Sequence, residues 1–136
     1  MDDGSELIER EPTVEEYSRL RASAGWSERT VEAMETSLAN GLYGVCLASD
    51  GETIGCGRVI GDGGMYFYIQ DVIVLPEFQG RGLGARLMDA VMAYLERSAP
   101  PGAFIGLMAA KGVAGFYERY GFERRAEDAP GMFRYA

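Results

Sequence analysis

The chain has 136 residues, 47% hydrophobic and 25% charged, which suits one domain (residues 1–136) with a core that needs no staples. Thirteen basic against 21 acidic side chains leave a net charge of −8, which argues against a nucleic-acid partner. No run of about 18 apolar residues occurs, so no membrane span is expected. The acidic start MDDGSELIEREP is unlike a secretory signal, and the expectation is a cytoplasmic protein.

Leu7 to Glu9 reads as a short first strand, cut off by Pro12. Thr13 and Glu16 form a capping box for a helix through about Ala22, amphipathic through Tyr17 and Leu20. Ala24-Gly25 breaks it. Ser27 can cap a second helix, Glu28 to Ala39, ending at Asn40-Gly41. Trp26 stands at the elbow between them, where it can serve as a core anchor.

From Leu42 the period changes to strands: Leu42 to Ala48, Glu52 to Ile60 and Met65 to Val74, with turns at Asp50-Gly51 and Asp62-Gly63-Gly64. A two-residue turn at Asp50-Gly51 sets Cys46 opposite Gly55 and Cys56 opposite Val45. Alternation then puts the two thiols on opposite faces, and no disulfide is expected. The chain has no histidine, so a Cys/His metal site is excluded and no metal is expected. Arg58 and Asp62 either face a pocket or are exposed strand charges.

The stretch Gln70 to Glu96 organises the rest. Val72, Ile73 and Val74 suit a strand buried on both faces, and Pro76 stops it. Gln79-Gly80-Arg81-Gly82-Leu83-Gly84 follows, then a helix whose Leu83, Leu87, Val91 and Tyr94/Leu95 form one stripe. Strand, glycine-rich turn and helix aim unpaired backbone N–H groups and a positive dipole end at an anion. Gly80-x-Gly82-x-x-Ala85 also satisfies a dinucleotide fingerprint, but the acidic residue which that fingerprint expects about 20 residues on is missing.

Pro100-Pro101-Gly102 ends the helix, and Ala103 to Ala109 makes a parallel strand beside Gln70 to Val74. Gly112 to Tyr120 is a short helix capped by Gly121. Phe122 to Arg125 and Met132 to Tyr135 would close the sheet. The elements sum to a mixed α/β (α+β) fold: a mostly antiparallel central sheet with a parallel β-α-β core and flanking helices.

The Gln79–Gly84 segment resembles the acyl-CoA pyrophosphate loop of the GCN5-related N-acetyltransferase (GNAT) family. GFYERYGFE, Gly115 to Glu123, is similar to that family's second signature, a tyrosine-bearing helix followed by a Gly-Phe turn. The resemblance spans roughly Leu42 to Tyr135. DVIVLPEFQGRGLG and Pro130-Gly131-Met132-Phe133 look most like a bacterial branch related to plant chloroplast serotonin N-acetyltransferases.

The resemblance implies a GNAT-like fold, acetyl-CoA as cosubstrate, and an amine or peptide amine as acceptor. Transfer would be direct, in a ternary complex. Cofactor contacts fall on Val72, Ile73, Val74, Gln79, Gly80, Arg81, Gly82, Leu83, Gly84, Ala85 and Phe116, with the pantetheine arm between two splayed strands. In the family the paired helices border the acceptor pocket, which makes Trp26 a candidate wall of the amine site; Tyr43, Tyr68 and Phe78 are the further candidate pocket aromatics. A main-chain N–H near Val72 to Val74 can polarise the thioester carbonyl.

Tyr117 is the candidate general acid for the departing thiolate; since proton transfer from a phenol to a thiolate is uphill, its alternatives are a hydrogen bond to the sulfur or a buried helix aromatic like Phe116. Asp71 is the candidate base, because a charge at the head of a buried β-branched strand is costly unless paired or working. Its alternative is an ion pair with an arginine such as Arg58. A strand bulge would alter which residues face the site, so Tyr68 and Gln70 stay open as pocket residues. Where many members carry asparagine seven residues before the tyrosine, this chain has Ala110, then Lys111. The reading is an acetyl-CoA-dependent N-acetyltransferase; the alternative is a non-catalytic acyl-CoA sensor. No nucleic acid or membrane partner is expected, and pairing of two copies through a terminal strand is open.

Overall fold

The computed structural model describes residues 4–136; residues 1–3 of the acidic start lie outside them. Five strands form one sheet in the order β1-β2-β3-β4-β5. They are β1 (Ser5–Ile8), β2 (Tyr43–Ser49), β3 (Glu52–Gly61), β4 (Tyr66–Val74) and β5 (Phe104–Leu107). Pairing is antiparallel from β1 to β4 and parallel between β4 and β5. The mixed, mostly antiparallel sheet with a parallel β-α-β unit is therefore the observed architecture.

Four helices flank it: α1 (Val14–Ser23), α2 (Val31–Ala39), α3 (Leu83–Ser98) and α4 (Ala114–Glu118). The stripe on α3 buries Leu83, Leu87, Met88, Val91 and Leu95. Leu87 and Val91 lie against β3 at Gly57. Each such side chain contributes about 1.5–3 kcal/mol relative to exposure. The opposite face of the sheet is covered by α1, through buried Tyr17 and Leu20, and by Met34 of α2. No helix among the described residues is long and apolar enough to cross a membrane.

The capping box forms as expected: Thr13 accepts from Glu16 N–H at 3.1 Å, and Glu16 accepts from Thr13 N–H at 2.8 Å. The second helix starts later than expected. Thr30 caps it, accepting from Ala33 N–H at 3.1 Å, while the Ser27 carbonyl and hydroxyl are claimed by Arg21 and Arg29.

Asp50 and Gly51 make the two-residue turn, both with positive φ, and Ser49 pairs with Glu52. One extra residue on β3, Ile54, then shifts the register, so that Cys46 pairs with Cys56. This corrects the expected register. Directly opposed residues point the same way, so both thiols sit on the α1 face, free and buried.

The two closing strands expected at 122–125 and 132–135 do not form. β5 offers only a four-residue edge, and the chain after α4 carries Glu123, Arg124, Arg125, Glu127 and Asp128. So short an edge lets a further strand bury too little to offset the entropy of ordering it. Phe133 and Tyr135 are left exposed.

Candidate active site

Pro76 ends β4, and one 3-10 turn, Pro76–Phe78, leads into the glycine loop. Gly80 and Gly82 adopt left-handed conformations, φ 81° and 76°, and Gly82 is the N-cap of α3. The first helical bond runs from Arg86 N–H to Gly82 O at 3.2 Å. The amides of Leu83, Gly84 and Ala85 precede that ladder and stand at the positive end of a 16-residue helix. A Cβ built on Gly80 or Gly82 would meet nothing within 4 Å, so the space above the loop is open. Gln79 ties the loop to the strand through Val74 O at 2.9 Å, and Arg81 donates to Glu77 O at 3.3 Å. These residues fit a pyrophosphate.

β4 and β5 stay paired only as far as Ile69 with Leu107, while β4 continues to Val74. Among the described residues no strand pairs with β4 on that side from Gln70 onward. The result is a wedge-shaped gap lined by the half-buried Val72 and Val74; Ile73 is buried. Tyr120 anchors α4, its hydroxyl 3.4 Å from Ala85 O and 3.3 Å from an Asp89 carboxylate oxygen. Phe116 lies 3.9 Å from the Cβ position of Gly84. Tyr117 packs edge-on against Phe116 and Phe122, and burial raises its phenol pKa.

A bulge interrupts β4 where the gap opens. Gln70 pairs with Arg58 and Ile73 with Cys56, so Asp71 and Val72 together oppose Gly57. Asp71 has φ 63°, the left-handed region. Its side chain thus turns to the same face as Gln70, where strict alternation would have sent it to the other.

There Asp71 accepts from Arg58 at 3.2 Å, from Gln70 at 2.9 Å and from the Tyr17 hydroxyl, with Arg21 at 3.8 Å. Arg58 is itself buried and held by Glu11 at 3.0 and 3.1 Å and by Ser37 O at 2.9 Å. Burial, the largest single influence, would lower the Arg58 pKa, but the Glu11 hydrogen bonds and the charges of Glu11, Tyr17 and Asp71 together outweigh it, and the net shift is upward. Tyr17 is pushed up to about 12 by burial and by the Asp71 charge. Gly44 makes room for Glu11, whose Cα would lie 2.8 Å from a Cβ there.

Beside this network, between α1, α2 and the sheet, is a cleft of about 300 Å³. Tyr17, Arg21, Arg29, Ala33, Met34, Ser37, Arg58, Ile60 and Gln70 line it. Gln70 joins the cleft to the head of the gap.

The structure brings Phe116 beside the glycine loop at Gly84, with Tyr117 packed on Phe116, and sets Val72–Val74 along the unpaired edge of β4, with Asp71 one layer beneath the cleft. Arg58 and Gln70 face the cleft. Asp62 does not: it accepts the amides of Gly64, Met65 and Tyr66 in an exposed turn. Tyr43 is also elsewhere, stacked on Tyr94 at 4.6 Å on the α3 face. Trp26 packs against Arg21 at 5.4 Å, behind the cleft lining, and Phe78 lies under Arg81 at 5.3 Å beside the glycine loop. Tyr68 is half-buried, and burial followed by the Asp71 charge raises its pKa. Ala110 and Lys111 are exposed in the loop before α4. Sequence reasoning missed Tyr17, Arg21, Arg29 and Glu11. The one available signal was Arg21, a charge one helical turn from Tyr17 on the buried side of α1.

This combination of a splayed parallel strand pair and a glycine-rich helix start defines an acyl-CoA-dependent transferase class. The acetyltransferase (GNAT) domain family matches residues 40–124, and the chain belongs to that family. An N-acetyltransferase of Pyropia yezoensis, described as uncharacterized, is 29% identical over 124 residues, 88% of this chain and 70% of that protein. The chloroplastic serotonin N-acetyltransferase 2 of rice is 31% identical over 121 residues, 89% of this chain and 60% of its own length. A Staphylococcus aureus structure described as a probable acetyltransferase superposes with a TM-score of 0.90 at 36% identity, covering 97% of this chain and 99% of its own. The chain is an acetyl-CoA-dependent acetyltransferase.

Proposed function

We propose that the protein moves an acetyl group from acetyl-CoA to a small primary amine by direct transfer, with donor and acceptor bound together. The observation that carries this is the pairing of the β4–β5 gap with a cleft on one face of the sheet, joined at Gln70. Donor and acceptor thus have separate entrances and a common meeting point, and no acyl-enzyme is needed.

The amides at the start of α3, with Gln79 to Gly84 and Arg81, hold the pyrophosphate. The free edge of β4 at Val72 to Val74 aligns the pantetheine arm as a neighbouring strand would. The acceptor must lose its ammonium proton before it attacks. Tyr17 lines the cleft and donates to Asp71, so its oxygen takes that proton as its own passes to Asp71. Asp71 acts as the base through this relay, with Arg58 and Gln70 holding its carboxylate in place. As the new C–N bond forms and the thioester C–S bond breaks, Tyr117 gives its proton to the sulfur, and the second proton released by the nitrogen restores the Tyr117 phenol.

Release of CoA thiol from acetyl-CoA across aryl, aliphatic and amino-acid amines tests the reading. Tyr117→Phe is expected to lower acceptor-dependent release about 10²-fold with acetyl-CoA affinity retained. Tight acetyl-CoA binding without turnover on any amine would replace the enzyme with a sensor. Absent acetyl-CoA binding would remove the whole proposal.

A further inference from the structure

We propose that the acceptor carries a carboxylate of its own, bound in the cleft by Arg21 and Arg29. The inference rests on the transferase reading and concerns the half of the site it leaves undefined. The chain as a whole has net charge −8, yet three guanidinium groups line the cleft and, among the described residues, no carboxylate does. The charges behind the lining do not cancel them. Glu11 and Asp71 answer Arg58, and Arg21 reaches Asp71 only at 3.8 Å. Arg29 has no carboxylate partner among the described residues; it donates to Glu28 O at 3.2 Å and lies over the Tyr135 ring at 5.7 Å. Counting Arg21, Arg29 and Arg58 against Glu11 and Asp71 leaves one positive charge facing the ligand.

An ammonium alone, and still more a polyamine, meets repulsion in such a cleft. A carboxylate removes it, and the planar guanidinium fork matches that group with two parallel hydrogen bonds. Arg21 is also held in place before any ligand arrives. It is stacked on Tyr17 at 5.6 Å and Trp26 at 5.4 Å, and donates to Ser27 O at 3.0 Å. Little side-chain entropy remains to be lost on binding. A volume of about 300 Å³ suits an amino-acid-sized acceptor. Gln70, at the head of the gap, marks the end of the cleft where its amine would meet the donor.

The test compares each amino acid with its own carboxamide, in an aromatic and an aliphatic series. The carboxamide has the less basic amine and so more free base near neutral pH, and basicity alone therefore favours it. A kcat/KM at least about tenfold higher for the acid supports the inference, that being the usual worth of a charge-assisted hydrogen bond. Arg29→Gln, at an exposed position, is expected to bring the ratio close to one. Equal rates, or preference for the carboxamide or the parent amine, would overturn the inference while leaving the transferase standing.

A second readout does not depend on turnover. Calorimetric affinity of the N-acetylated amino acid against its N-acetylated carboxamide is expected to favour the acid in the wild type and neither in Arg29→Gln. Equal affinity, or no binding of either, counts against the inference. Failure of acetyl-CoA itself to bind removes the transferase reading and this inference with it.

Discussion

Glu16 accepts from Arg10 at 2.8 and 3.1 Å, from Thr13 N–H at 2.8 Å and from the Thr53 hydroxyl. The Arg10 hydrogen bonds foremost, against the desolvation they overcome, bring its pKa down to about 2 from an ordinary 4.5. The folded value lies below the unfolded one, so the unfolded chain binds the extra proton as pH falls. The stabilisation is therefore full above about pH 4.5 and is lost as pH drops toward 2. With solvent screening allowed for, it amounts to about 1–2 kcal/mol. Urea unfolding of the wild type and Glu16→Gln should differ by that amount at pH 6 and converge near pH 2. A difference that ignores pH would refute the assignment. The Thr13/Glu16 half of this cluster was legible from its spacing. Arg10 and Thr53 were not, because they come together only when β1 and β3 share a sheet.

Among elements, the loop into α3 shows how backbone and site are one feature. Gly82 caps the helix at φ 76°, where a side chain costs about 1–2 kcal/mol although nothing would touch it. Gly82→Ala should lower unfolding free energy by that amount and weaken acetyl-CoA binding, measured by calorimetry. Lower stability with unchanged affinity would mean that the loop serves only the turn. This element could be read in advance because strand, proline, glycines and helix stripe follow one another locally. Of the two bulges, the one in β4 was signalled only by the family resemblance, and the one at Ile54 not at all. Ile54 and the Asp71–Val72 pair each add one residue that shows only as a change of register, and register is decided across strands. Those two insertions moved Cys46 and Cys56 onto one face and turned Asp71 toward Tyr17. They account for most of what the linear pattern concealed. The closing strands failed for another reason: alternating apolar residues predict a strand only where there is an edge worth pairing with.

At the scale of the whole molecule, the core is continuous through the sheet, and its thiols report on it. Cys46 is fully buried with its pKa pushed up to about 11 by desolvation, and that of the buried Cys56 is raised well above the usual thiol range by the same cause. Neither is reactive as a thiolate at neutral pH. A disulfide-exchange reagent should label neither thiol in the native protein and both after unfolding, with a rate that follows global unfolding. Rapid labelling of one thiol under native conditions would instead show that the β2–β3 pair opens locally. The order of elements and the mixed sheet were visible in the sequence because hydrophobic period and turn residues agreed over long stretches. The cleft was not, since α1, α2 and β4 lie far apart in the chain and nothing local marks Arg21 and Arg29 as neighbours.

Among the described residues, the edge of β4 beyond Ile69 lacks a partner that the fold elsewhere supplies to every inner strand. On the proposed reading, the donor is the missing neighbour, so the protein is structurally complete only as a complex. Ligand at a hundredfold excess over its dissociation constant adds about 2.7 kcal/mol to the stability of a folded chain. Such a margin changes how often a protein unfolds and is degraded. The cellular lifetime of this enzyme would then rise and fall with the supply of acyl thioester, giving well-fed cells more of it without any change in synthesis.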